Sequence, residues 1–109
     1  MGMYGSMKTY DKAIRDGIPD SIRAEGKRCI VAQVSDDEFL GYMEEKLFEE
    51  LHEYIESKSP EELADLLEVI YRVAELKGMD IDELETLRKK KRRERGGFTK
   101  NFILVTAEE

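Results

Sequence analysis

The stretch that decides the fold runs from Asp37 to Gly78, DEFLGYMEEKLFEELHEYIESKSPEELADLLEVIYRVAELKG. In its first half, Leu40, Met43, Leu47, Leu51, Tyr54 and Ile55 recur mostly at steps of three and four, the period of a single buried helical stripe. The spacing predicts a helix from about Asp37 to about Glu56. Ser35 and the pair Asp36-Asp37 suit its N-terminus, where exposed N–H groups and the helix dipole favour negative charge. Ser57-Lys58-Ser59-Pro60 then interrupts the pattern, and Ser59-Pro60-Glu61-Glu62 has the form of a capping box with Pro at the first helical position. A second helix follows, carrying Leu63, Leu66, Leu67, Val69, Ile70, Val73, Ala74 and Leu76 over a broad apolar arc and ending at Gly78, a good left-handed cap. A connection of about four residues makes the two helices an antiparallel hairpin. So broad an arc calls for neighbours on more than one side.

Outside this hairpin the elements are shorter. Ile18-Pro19 through Glu25-Gly26 reads as a short helix, with Pro in its first turn and Gly at its end. Asp80-Ile81-Asp82-Glu83 resembles another capping box, and Ile81, Leu84 and Leu87 open a helix whose later turns are almost purely basic and which Gly96-Gly97 stops. Arg28–Val34 and Phe98–Val105 read as strands that pair into a small ribbon. The expected fold class is mainly α: a helical hairpin that completes a four-helix-type bundle on dimerisation, beside a two-stranded β ribbon.

Composition narrows the function. The chain has 109 residues, 40% hydrophobic and 39% charged, which suits one compact domain and excludes a multidomain enzyme. Met1–Ser6 reads as a leader before a natural start at Met7, leaving 7–109 as that domain. No apolar run approaches the roughly 20 residues that span a bilayer, and no secretory signal opens the chain. The single cysteine, Cys29, permits neither an internal disulfide nor a thiolate cluster, so a cytoplasmic protein is expected and Cys29 is assigned to packing. The net charge of −7 is unevenly spread: residues 36–85 hold 18 acidic against 4 basic side chains. Seven of the 18 basic residues crowd into Arg88, Lys89, Lys90, Lys91, Arg92, Arg93 and Arg95. Such patches suit a metal ion beside an anionic ligand, and they also suit two solvated helix faces.

Placing residues at steps of about 100° separates these readings. With Leu47 at zero, Glu50 falls at about −60° and Glu53 at about −120°, flanking the apolar face. With Leu66 at zero, Glu62 falls at about −40°, inside the apolar arc, and Asp65 at about −100° on its edge. An unpaired buried carboxylate costs several kcal/mol, so Glu62 needs a counter-charge, a proton or a metal. Two acid pairs on facing helices offer four oxygen donors to one or two hard cations, Mg²⁺ or Mn²⁺. The competing assignment gives Glu62 to the Ser59 backbone N–H as the return half of the capping box, and pairs Glu50 with Lys46. His52, the only histidine, falls at about 140° on the solvated side.

Glu49-Glu50-Leu51-His52-Glu53 followed by Glu62-Leu63-Ala64-Asp65 resembles the EExxE…ExxD signature of the MazG-like, all-α nucleoside triphosphate pyrophosphohydrolases. Tyr10-Asp11-Lys12 with Arg15-Asp16-Gly17-Ile18-Pro19, the run Glu61–Ile70, and Arg95-Gly96-Gly97-Phe98 are similar to the small phosphoribosyl-ATP pyrophosphohydrolase-like branch of that superfamily. The resemblance covers nearly all of 7–109, although the segment between Glu53 and Glu62 is shorter than in the wider superfamily. It implies that Glu50, Glu53, Glu62 and Asp65 ligate Mg²⁺, with Glu49 as a further ligand or orienting water, so that Glu49 and Glu50 are the catalytic candidates. It also implies hydrolysis of a nucleoside triphosphate to the monophosphate and pyrophosphate by a homodimer or dimer of dimers.

Lys12, Arg15, Lys89, Lys91, Arg92 and Arg95 are candidate phosphate clamps, the first two if the N-terminus folds over the site. Phe39, Tyr42 and Tyr71 are candidate platforms for a base or ordinary core aromatics. Three other readings stay open: phosphoribosyl-ATP as the substrate, a nucleic-acid binder gripping phosphates with Arg88–Arg95, and a helical interaction protein without catalysis. The adjacent acidic block, and the lack of aromatics between Arg88 and Arg95, count against nucleic acid.

Overall fold

The computed structural model describes residues 6–109, so most of the expected leader, residues 1–5, lies outside the described residues. Among the described residues there are four helices: α1 (Ile18–Ala24), α2 (Asp36–Ser57), α3 (Glu61–Leu76) and α4 (Ile81–Arg95). No helix among the described residues is long and apolar enough to cross a membrane.

Local chemistry sets most boundaries. The Ser35 side chain caps α2 by accepting from the Glu38 N–H at 3.2 Å, and Asp80 caps α4 by accepting from the Glu83 N–H at 2.8 Å. Beyond α3, Gly78 adopts φ +86°. The Gly78 N–H donates to Glu75 O at 3.0 Å and the Met79 N–H to Ala74 O at 2.9 Å, the paired bonds of a Schellman ending. Lys58 takes a left-handed conformation (φ 60°) after α2, and its N–H donates to Tyr54 O at 2.7 Å, which turns the chain back within three residues.

α2 and α3 pack along their length, and α4 packs on α3. The hairpin is antiparallel. Asp36 at the start of α2 meets Arg72 near the end of α3 at 3.7 Å, while Glu50 lies beside Glu62 and Asp65 nearer the turn. The N-terminal segment before α1 crosses one flank of this hairpin and places Ala13 against Met43 and Val69. These three are the buried hydrophobic residues among those described, with Phe39, Tyr42, Leu47, Val73 and Leu76 packed around them.

The other flank is bare. Taking the same helical angles, Met43, Glu50, Glu62, Asp65 and Val69 lie on the negative side of their stripes, the flank crossed by the N-terminal segment. Phe48, Leu51, Ile55, Leu63, Leu67 and Ile70 lie on the positive side, and each is at least 37% exposed. The broad arc of α3 is thus covered on one side only. The radius of gyration is 19.2 Å, against about 13 Å for a compact domain of this length. The accessible surface is 9873 Å², against roughly 6,200 Å² for a compact monomer of this mass.

Two expectations need correction. The β ribbon does not form: among the described residues there is no strand, Arg28–Val34 is irregular and exposed except at half-buried Cys29, and Phe98–Val105 opens with a bend and turn over 98–100 and a left-handed Asn101 (φ 56°) before running on as exposed, irregular chain. A strand exists only by pairing, and nothing brings these two together. The last turns of α4 carry no apolar side chain to dock them, so the following segment leaves with Phe98 99% and Phe102 83% exposed. The capping box at Ser59 is also absent. Pro60 is helical in φ and ψ with no side-chain cap, and the Ser59 N–H donates to Ser57 Oγ at 3.1 Å.

Candidate metal centre

The missing capping box frees Glu62. The backbone N–H it was expected to accept from is already bonded to Ser57, and the Glu62 carboxyl instead faces the neighbouring acids. Glu50 from α2, with Glu62 and Asp65 one turn apart on α3, brings one carboxylate oxygen each to within 4.8 Å of the others. Seven residues, about 10 Å of helix, separate Glu50 from the end of α2, so the cluster sits where the hairpin turn limits how far the helices can splay.

Within this cluster Glu62 stands apart. The Glu62 carboxyl is pushed above the usual carboxylate range by loss of solvation, then by the charges of Asp65 and Glu53, a hydrogen bond shared with Asp65, and the charge of Glu50. Its neighbours are relieved by cations. Lys46, whose side chain is only 15% exposed, lies 3.5 Å from Glu50 and 3.3 Å from Glu49. Lys12 reaches Glu49 at 3.2 Å, and Arg15 donates to Asp65 Oδ1 at 2.7 Å. For Glu49, lost solvation raises the carboxyl, but the hydrogen bond from Lys12 and the charge of Lys46 outweigh it and hold the group below its ordinary value.

An all-carboxylate donor set of this spacing is of the oxygen-only kind that hard divalent cations take. Glu50, Glu62 and Asp65 are the residues that could hold one. Glu53 is exposed and lies outside the 4.8 Å group, yet near enough for its charge to act on Glu62.

Beside the cluster lies a cavity of about 360 Å³ between the N-terminal segment and the hairpin. Its walls include Glu50, Asp65, Lys46, Arg15, Phe39 and Tyr71. Lys89, Lys91, Arg92 and Arg95 are exposed on α4 and do not line it, and the Arg92 guanidinium instead lies 3.6 Å from where a Gly97 side chain would begin. The Tyr42 hydroxyl donates to Asp11 at 2.8 Å, and the Tyr71 hydroxyl donates to Glu85 at 3.1 Å. His52 is exposed and 3.6 Å from Glu56. Cys29, half-buried, has its sulfur 3.9 Å from Pro19 O.

In the sequence Lys46 reads as an ordinary i, i+4 partner of Glu50, whereas in the structure its confined ammonium reaches Glu49 as well. Its helical angle of about −100° carried the signal, because it places the ammonium on the same flank as Glu50 and Glu53. No protein family, curated protein or solved structure matches the chain.

Proposed function

We propose that the protein is a Mg²⁺-dependent nucleotide pyrophosphohydrolase, which hydrolyses a nucleoside triphosphate to the monophosphate and pyrophosphate. The observation that carries the reading is the convergence of Glu50, Glu62 and Asp65 within 4.8 Å, with Glu62 released from helix capping. The MazG-like resemblance of the Glu49–Glu53 and Glu62–Asp65 motifs supports the same chemistry. Bound Mg²⁺ supplies charge against the phosphate oxygens and makes water a stronger nucleophile near neutral pH.

The chain's own groups have distinct parts. Glu50, Glu62 and Asp65 hold the cation. Glu49, kept ionised by Lys12 and Lys46, accepts a hydrogen bond from water and orients it toward phosphorus. Arg15 and Lys12 lie at the rim of the same flank, where the triphosphate's negative charge must come. The adjoining cavity is of nucleotide-binding size, with Phe39 and Tyr71 as apolar wall for the base.

A second copy of the chain belongs to this reading. The bare flank of α2 and α3 and the excess accessible surface suit a homodimer in which two hairpins form a four-helix bundle, leaving the acidic flanks outward.

The test is Mg²⁺-dependent pyrophosphate release across standard, deoxy and modified nucleoside triphosphates and phosphoribosyl-ATP, with Glu50→Gln and Glu62→Gln as folded controls. Turnover that collapses in both variants is expected, and the preferred substrate identifies the base. Absence of turnover on every substrate, together with no Mg²⁺-induced stabilisation, would refute the assignment.

A further inference from the structure

Segment Asp11–Asp16 has no helical period and no regular structure, yet it is held at four points on the acidic flank. Asp11, in a left-handed conformation (φ 50°), accepts from the Tyr42 hydroxyl at 2.8 Å. Lys12 pairs with Glu49 at 3.2 Å, Ala13 is buried against Met43 and Val69, and Arg15 pairs with Asp65 at 2.7 Å. Two of the four holds are therefore ion pairs with the acidic residues assigned above to cation binding and water orientation. We propose that this segment is a counter-ion strap: Lys12 and Arg15 neutralise the acidic flank in the free protein, and a divalent cation displaces Arg15 from Asp65, releasing it toward an incoming phosphate. This inference rests on the metal-site reading and assigns the residue that must yield to the metal.

The choice of the strap follows from exposure and geometry. Among the described residues three cations pair with Glu49, Glu50 or Asp65, and Lys46 is the confined one, with its side chain 15% exposed between Glu49 and Glu50. The Arg15 side chain is 55% exposed and Lys12 43%, so both can turn outward without opening the core. A divalent ion seated among Glu50, Glu62 and Asp65 would lie within a few ångströms of the Arg15 guanidinium. That like-charge repulsion is relieved most cheaply by moving the exposed partner. With Ala13 still buried two residues away, the released Arg15 stays beside the cavity that both residues line, and its planar donors match a phosphate in two-pronged fashion. Cation binding and strap release are then one linked equilibrium: whatever loosens the strap tightens the cation, by the same factor in each direction.

The experiment uses the full chain and Mn²⁺ as the probe, titrated calorimetrically without nucleotide, with hydrogen exchange followed over residues 11–16. Arg15→Gln is expected to bind Mn²⁺ about five-fold more tightly than wild type, and Arg15→Lys, which keeps the charge, less than about two-fold more tightly. In wild type, Mn²⁺ is expected to speed exchange in the strap, because its holds are being released. Equal or weaker Mn²⁺ binding by Arg15→Gln, or a strap that becomes more protected on Mn²⁺ addition, overturns the proposal while leaving the metal site standing. Failure of wild type and Arg15→Gln alike to bind Mn²⁺ overturns the metal-site reading and the strap with it.

Discussion

Replacing Lys46 with Met tests whether the acidic flank is a cation site or merely a set of tolerated charges. Methionine keeps an unbranched side chain of similar length at the cavity wall and removes the ammonium. That ammonium lies 3.5 Å from Glu50, and the two side chains are 15% and 13% exposed, so neither is well solvated. At this separation two unit charges attract by about 1.2 kcal/mol at a water-like dielectric of 80 and by about 4.7 kcal/mol at an effective value of 20. The desolvation of the ammonium is relieved in the variant, and Glu49 retains Lys12, so the net loss falls toward the lower bound. Lys46→Met is therefore expected to lose about 1–2 kcal/mol in EDTA, a fall in Tm of about 5–10 °C for a chain of this length. In saturating Mg²⁺ the deficit is expected to shrink to about half or less, because a cation held by Glu50 replaces the missing charge. Thermal melts at one fixed protein concentration, with and without Mg²⁺, give the answer. An equal deficit in both conditions refutes the coupling between Lys46 and the metal centre.

Other expectations concern charge, core and assembly. Glu62 is raised in the folded state, so its contribution favours folding below the unfolded carboxylate pKa and is lost as pH rises through the folded value. Glu62→Gln should accordingly stabilise the metal-free protein at pH 7, lose that advantage near pH 4 in urea titrations, and abolish stabilisation by Mg²⁺. Glu49 has the opposite sign: its contribution is present above the unfolded carboxylate pKa and lost as pH falls through the depressed folded value. Glu49→Gln should thus destabilise at pH 7 with a gap that closes in acid. Met43→Ala, at an 8% exposed position in a three-residue core, should cost about 2–5 kcal/mol by urea unfolding. Leu67→Lys, on the bare flank, should shift a sedimenting dimer to monomer, whereas a monomeric wild type would remove the second copy from the reading.

The hairpin was legible because its signals are local. The three- and four-residue steps from Leu40 to Ile55, the caps at Ser35 and Asp80, and the glycines at 78 and 96 all act through near neighbours in sequence, and the helix ends fall within one or two residues of where they point. The ribbon failed for the converse reason: alternation in Phe98–Val105 describes a strand only if a partner arrives, and α4 carries the segment off with a run of basic side chains. The Ser59 box had the right letters, but Ser57 Oγ took the N–H that the box required. Lys12 and Arg15 were legible as residues that reach the site if the N-terminus folds over it, but as clamps for a phosphate; their pairing with Glu49 and Asp65 was not. Asp11 meets Tyr42 across 31 residues and Arg15 meets Asp65 across 50, and no periodicity in residues 10–17 announces either pairing.

The two flanks of the hairpin are not independent. Among the described residues the buried contact between α2 and α3 is Met43 with Val69, surrounded by half-buried Phe39, Tyr42, Leu47, Val73 and Leu76, and a shift of one residue would move Glu50 by about 1.5 Å relative to Glu62 and Asp65. A Mg²⁺ site with metal–oxygen distances near 2.1 Å does not survive such movement. The apolar side chains Leu51, Ile55, Leu63 and Leu67, left bare in the single chain, run along the same stretch of both helices that carries the acids on the opposite flank. Burying them against a second copy would fix the register of α2 on α3 and with it the carboxylate spacing. On this reading dimerisation and metal affinity are thermodynamically linked, and a substitution on the bare flank weakens Mg²⁺ binding although no altered atom approaches the ion.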